Sequence, residues 1–208
     1  MSIHLRRISK EKLSQIAEAF RDYPYEEGET GIYYRCKGGD GILTYMKAFA
    51  KAGIKSGWLY TASENEEGYI MISDPDSRVS ISGVLGLVKG CIGAMGFRGS
   101  VRFLRDLKGA GESLEAKLKR EKRPFVQIEM LVVRKPYQNQ GYMRGLVQIA
   151  FDRADALGLP CIVSTDGKRK AEKYRHLGFA LFGVRRLHGT SYEYDLIGEI
   201  KDEKEFTE

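Results

Sequence analysis

The chain has 208 residues, 42% hydrophobic and 30% charged, the balance of a globular domain with one good core rather than of a disordered or fibrous chain. Thirty-four Lys and Arg against 28 Asp and Glu leave a net charge of +6, which suits an anionic ligand as readily as nucleic acid. Cys36, Cys91 and Cys161 have no CxxC or Cys/His spacing for zinc or a disulfide framework, so they are read as reduced thiols of a cytoplasmic protein.

Along the chain, residues 3–8 alternate as a short strand. Ser9 then stands where it can cap a helix, with Ile8 and Leu13 placed as a hydrophobic staple and Leu13, Ile16, Ala17 and Phe20 forming the apolar face. The first residues carry no apolar run of the secretory kind, so secretion is not expected. A second helix is predicted over about 41–52, stopped by Gly53 and Gly57. Residues 58–62 and 69–73, aromatic and β-branched runs joined by a polar turn ending in Gly68, read as a hairpin.

Residues 75–124 are predicted to form a helical insertion. Its most apolar part, 79–97, is broken by Ser80, Ser82, Lys89 and five glycines, which makes a poor membrane span. A buried or lid-forming helix is expected there, and no membrane partner.

After Pro124 the signals sharpen. A strand is predicted over 125–133 and a helix over 142–157, with Met143, Val147, Ala150, Phe151, Ala154 and Leu157 on one stripe. Gly158 and Pro160 end that helix. A buried strand (161–163), a short helix (170–177) and a final hairpin (179–187 with 192–197) follow, and 201–208 reads as a frayed tail. The order describes a single α/β domain over 1–200, its mixed sheet antiparallel at the front with a parallel crossover late.

Between strand and helix lies Gln138-Asn139-Gln140-Gly141-Tyr142-Met143-Arg144-Gly145. A strand, a tight polar turn and a helix make a recipe for binding a diphosphate, because the amides of the helix's first turn converge and its dipole adds positive charge. Gly141 permits positive φ or close approach of the backbone, and Asn139 is among the few other residues that tolerate left-handed geometry. The turn alone is equally compatible with an ordinary connection.

Two longer segments go further. LVVRKPYQNQGYMRGLV (131–147) resembles the acyl-CoA signature of the GNAT acyltransferase superfamily, Val-x-Pro-x-x-Arg/Gln-x-x-Gly-x-Gly/Ala. STDGKRKAEKYRHLGF (164–179) resembles its second signature, a tyrosine on a short helix four residues before Gly-Phe. There are departures: Pro136 is one place late, Met143 replaces a small residue, and Gly167 and Lys170 stand where many members keep Asn and Ala. Met143 lies on the stripe of Val147 and Ala150, so its side chain is expected to turn toward the sheet.

The resemblance implies a mixed, mostly antiparallel sheet flanked by helices, with the insertion preceding the central cofactor-binding strand, and acetyl-CoA as co-substrate. It implies that Leu131, Val132 and Val133 lend backbone groups to the pantetheine arm. The amides of Gln138, Asn139, Gln140, Gly141, Tyr142, Met143 and Arg144 would hold the pyrophosphate. Tyr174 falls where many members keep the acid that protonates the departing thiolate; its alternative is a core tyrosine stacked on the sheet. Lys170, in the cluster Lys168-Arg169-Lys170, either meets the adenine-side phosphate or belongs to a solvated helix start.

Glu129 interrupts an otherwise apolar strand, where an unpaired carboxylate would be costly. An ammonium acceptor must lose a proton before attack, so Glu129 is the candidate base, directly or through a water, or else the partner of a cation of the insertion. His4, His176 and His188 support no metal site. The leading function is transfer of an acetyl group from acetyl-CoA to a small primary amine by direct attack in a ternary complex, in a monomer or homodimer. The insertion is expected to roof the acceptor side as a possible lid, its surplus of bases arguing against a polycationic acceptor. An acyl-CoA-binding sensor without turnover is the alternative. A nucleic-acid or protein-binding module is disfavoured, because the basic residues are interleaved with acids and no stacking motif accompanies them.

Overall fold

The computed structural model describes residues 2–26 and 29–198; the tail read as frayed, 201–208, lies outside the described residues. The elements are β1 (Ile3–His4), α1 (Lys10–Arg21), a 3-10 turn (Ile32–Arg35), α2 (Gly38–Lys55), β2 (Leu59–Thr61), β3 (Gly68–Ser73), α3 (Ile81–Gly109), α4 (Leu114–Arg120), β4 (Val126–Val133), α5 (Tyr142–Leu157), β5 (Cys161–Thr165), α6 (Lys168–His176), β6 (Ala180–His188) and β7 (Ser191–Gly198). All seven strands form one sheet in the order β1-β2-β3-β4-β5-β7-β6. Every pairing is antiparallel except β4 with β5, the late parallel crossover the sequence suggests.

Because side chains alternate across a strand, the sheet buries both faces. On one, Ile70, Ile72, Val126 and Ile128 meet Leu146, Val147, Ala150 and Ala154 of α5. On the other, Tyr69, Met71, Met130 and Val132 meet Leu13 and Ile16 of α1 and Ile42, Met46 and Ala50 of α2. Further along that second face Leu114 and Leu118 of α4 cover Ile162. Ser9 caps α1 as read, its hydroxyl accepting from the Lys12 amide at 3.1 Å. The first strand is shorter than its alternation suggests: Leu5 still donates to the Leu59 carbonyl (2.8 Å), but a bend at Arg6 then takes the chain toward the Ser9 cap.

The insertion is helical, but most of α3 is not buried. It lies along α2 with its small residues inward. A methyl group on Gly90 would sit 2.2 Å from the Ala48 Cβ, and one on Gly83 would sit 3.1 Å from the Ala52 Cα, so the two helices touch nearly backbone to backbone. Gly96 (φ 73°, ψ 164°) kinks α3 in a conformation that only glycine adopts readily. Met95 is buried with the small residues, whereas Ile81, Val84, Leu85, Val88, Ile92, Phe97, Val101 and Leu104 of α3 are exposed.

Candidate active site

β4 and β5 keep register over only three pairs, Val126 to Cys161 through Ile128 to Val163. Beyond Ile128 they part, and a cleft of about 660 Å³ opens beside residues 129–133. A β-bulge lies at the same place: Met71 faces Met130 and Ile72 faces Ile128, which leaves Glu129 without a cross-strand mate. The bulge delivers a carboxylate where the sheet splits.

Glu129 lines the cleft and accepts a hydrogen bond from the Ser73 hydroxyl at 2.7 Å. Burial pushes its carboxyl above the usual range, with Ser73 opposing the shift. Among the described residues it makes no salt bridge; Lys119, the nearby cation of the insertion, pairs with Glu115 at 2.5 Å. Tyr174 also lines the cleft. Its ring stands edge-on to Phe179 (5.5 Å between centroids) in the core, and its hydroxyl has no hydrogen-bond partner among the described residues. The core reading of Tyr174 and the cleft-facing reading therefore describe one side chain. Burial holds its phenol protonated well beyond neutral pH.

In the turn, Asn139 (φ 61°) and Gly141 (φ 84°) both adopt left-handed geometry, and Gly141 is the N-cap of α5. Among the described residues no carbonyl accepts from the amides of Asn139, Gln140, Gly141, Tyr142 or Met143. Two of the seven expected donors are already engaged, Arg144 with the Gly141 carbonyl (3.0 Å) and Gln138 with that of Lys135 (3.4 Å). The cradle thus offers five free amides at a helix N-terminus. Met143 packs against the core of the α5 side as expected, with part of its surface on the cleft wall. Leu131, Val132 and Val133 line the same wall, and there β4 has β3 on one side and no strand on the other.

The far end of the cleft holds side chains that motif spacing does not connect. Asp166 accepts from Tyr25 Oη (2.7 Å), the Ile32 amide (3.0 Å) and Lys170 Nζ (2.6 Å). Burial works against its charge, but Lys170 and these donors more than offset that and hold its carboxyl below the usual range. Lys170 is therefore not aimed at an adenine-side phosphate. Its ammonium is enclosed by Asp166, Tyr25 Oη (3.1 Å) and the rings of Tyr23 and Tyr25, 4.2 and 4.7 Å from their centroids. Arg169 and Lys173 are the exposed cations on that wall.

The roof is also not where it was expected. Among the described residues none between 75 and 124 lines the cleft; Phe20, Tyr23, Pro24, Ile32, Tyr45 and Phe49, from the α1–α2 segment, close it instead. A small pocket that shares Ile32, Asp166 and Glu193 with the far end of the cleft does take in Phe103 of α3. Glu193 of β7 also lines the cleft, and burial raises its carboxyl to about 7, with Asp166 adding repulsion and Arg185 opposing.

A split sheet, a bulge carboxylate and an amide-lined turn before α5 coincide with the part of the chain that matches a known family. The model of the Acetyltransferase (GNAT) family covers residues 58–179. The chain belongs to this family. Solved structures agree in fold. An acetyltransferase from Corynebacterium glutamicum, described as histone acetyltransferase HPA2 and related acetyltransferase, has a TM-score of 0.58 at 12% identity, with 96% of each chain covered. An N-acetyltransferase from Staphylococcus aureus gives 0.52 at 14%, covering 95% of this chain and 99% of that one. A polyamine N-acetyltransferase from Drosophila melanogaster gives 0.51 at 13%, covering 95% and 98%. None of the curated proteins matches the chain in sequence.

For a GNAT acetyltransferase the residues present fit the co-substrate the family uses: an open strand edge at 131–133, then five convergent amides. None of the three cysteines lines the cleft, and among the described residues no group of three or more His, Cys, Asp or Glu is placed to hold a metal ion. A carboxyl of the cleft that sequence reasoning does not single out is Glu193. Its signal is the alternation Ser191, Glu193, Asp195, which puts two acids on one face of β7; Asp195 is consumed by Arg185 (2.6 and 3.0 Å) and Ser164 (2.6 Å), leaving Glu193 in the cleft.

Proposed function

We propose that this enzyme transfers the acetyl group of acetyl-CoA to the primary amine of a small molecule, by direct attack in a ternary complex. The observation that carries the proposal is that one cleft is lined by a raised carboxyl, Glu129, and by a protonated phenol without a partner, Tyr174. In the reaction a C–N bond forms and the thioester C–S bond breaks. Glu129 takes the proton of the acceptor ammonium, directly or through a water, and Tyr174 gives its proton to the departing sulfur. Residues 131–133 position the pantetheine arm as a strand partner would, and the amides of Asn139 to Met143 hold the pyrophosphate. A backbone amide near Leu131 or Val132 stabilises the oxyanion.

The acceptor end supports an amine that arrives charged. Glu193 is a carboxyl group with no salt bridge among the described residues, and the roof carries Phe20, Tyr45 and Phe49, aromatic side chains of the kind whose ring faces attract cations. A cytoplasmic setting, suggested by three free thiols, is part of the same proposal.

The test is CoA release on a panel of small amines. Glu129→Gln is expected to lower kcat by about 10²- to 10⁴-fold, the usual range for loss of a positioned base, with acetyl-CoA affinity unchanged. Tyr174→Phe is expected to lower kcat while the protein stays folded. Tight acetyl-CoA binding with no turnover on any amine would instead support the sensor reading.

A further inference from the structure

Thirteen large apolar side chains are exposed among the described residues, and nine of them lie between Val79 and Leu104. Along α3, Ile81, Val84, Leu85, Val88 and Ile92 recur every three or four residues, and so share one face of a helix. Past the Gly96 kink the second half carries its own stripe at helical spacing, Phe97, Val101 and Leu104, which are 69%, 52% and 58% exposed. Gly83, Gly90 and Ala94 occupy the opposite face, buried against α2. A stripe this long is far from the solitary surface hydrophobes that need no explanation.

Beside the stripe runs a row of exposed bases, Arg98, Arg102 and Arg105, again at helical spacing, with Lys89 in the first half and Lys108 at the end. Five bases against one acid, Asp106, give α3 a charge of +4 within a chain whose total is +6. Asp106 pairs with Arg35 at 2.8 Å, whereas among the described residues none of the five bases is in a salt bridge.

We propose that α3 docks the protein on an anionic lipid surface, lying parallel to it with the apolar stripe in the headgroup boundary and the arginine row on lipid phosphates. The helix is long and apolar enough to cross a membrane. Its packing on α2 occupies one side, however, and the kink breaks it in two, so it presents a stripe to a surface rather than a rod to a bilayer interior. A lengthwise apolar stripe flanked by bases is the pattern of interfacial helices. The long arginine stems can lie along the apolar stripe while their heads reach phosphate. The stripe is a projecting helix face, which a fluid surface accommodates without a matching groove. An antiparallel two-fold dimer through the same face would crowd each arginine row beside its copy.

The full-length chain is sedimented with vesicles of phosphatidylcholine alone and of phosphatidylcholine with phosphatidylglycerol, at low and high salt. Partition onto the anionic vesicles only, weakening with salt, is expected. Arg98→Gln/Arg102→Gln/Arg105→Gln is expected to weaken partition about 100-fold, from the usual contribution of each base near an anionic surface. Val84→Ser/Val88→Ser/Val101→Ser, which keeps every charge, is expected to weaken it as well; unchanged partition would overturn insertion of the stripe. All six positions are solvent-facing, and thermal melts confirm that the variants fold. Failure of the unaltered protein to bind anionic vesicles at low salt, or equal binding to both compositions, overturns the proposal. So does sedimentation velocity showing a dimer that Val88→Arg converts to monomer, which would assign the stripe to self-association.

Discussion

Glu193→Gln should stabilise the folded protein, and only toward alkaline pH. In the folded state burial raises the Glu193 carboxyl from 4.5 to about 7, Asp166 reinforces the rise and Arg185 opposes it. The folded state therefore holds this proton more tightly than the unfolded chain. Below about pH 4.5 both states are protonated and nothing is lost; between there and about pH 7 the unfolded chain releases its proton first and stability falls; above that the full cost is present. Moving a carboxyl from 4.5 to about 7 corresponds to about 3 kcal/mol, an order-of-magnitude figure. Glutamine keeps the shape and removes the ionisation. Urea unfolding of both proteins across this range should give a difference near zero at the acid end, rising to about 3 kcal/mol in favour of the variant at the alkaline end. A difference independent of pH, or a variant less stable at alkaline pH, would refute the argument. The same group should report on the acceptor: an ammonium docking beside Glu193 restores its charge, so binding near neutral pH should release a proton. Titration calorimetry in buffers of different ionisation heat detects that release.

Gly141→Val places a β-branched residue at φ 84°, where the left-handed region costs L-residues about 1–2 kcal/mol or more, although a Cβ there meets nothing within 4 Å. The expected result is a modestly lower Tm with acetyl-CoA affinity reduced at least tenfold by calorimetry; unchanged affinity would remove the turn from the binding site. Asp195→Ala leaves the Arg185 guanidinium buried without its bidentate partner and should cost about 3–5 kcal/mol in urea unfolding, largely recovered by Arg185→Met in the same chain.

What the sequence reveals about this fold is what local signals decide. The Ser9 cap, the 59–73 hairpin and α5 with its Gly158 stop (φ 63°) each rest on neighbours within one or two turns. Glu129, the turn and Tyr174 are legible because one strand-turn-helix unit and one short helix carry them. The roof is not, because Tyr23, Pro24 and Ile32 reach the cleft from an irregular segment and a 3-10 turn that only tertiary packing positions. The apolar run of α3 is compatible with a core or a surface helix; contact of Gly83 and Gly90 with α2 decides which face turns inward. Period-two alternation brings Glu193 and Asp195 to one face of β7, but nothing local says that Arg185 takes the second and leaves the first.

The three-pair seam between β4 and β5 also has a mechanical meaning. β1–β4 with α1 and α2 form one half of the molecule, β5–β7 with α6 the other; besides the short seam, α5 packs on the sheet strands of both, and residues of the segment 25–32 are hydrogen-bonded to Asp166, Ser191 and the Lys168 amide of the second half. A sheet slit along its middle is held there by side chains, so its halves can part only where the bonds to Asp166 and Ser191 break, with each core left intact. In the proposed complex, a linear molecule lying along residues 131–133 and anchored at the head of α5 adds a further tie across that slit.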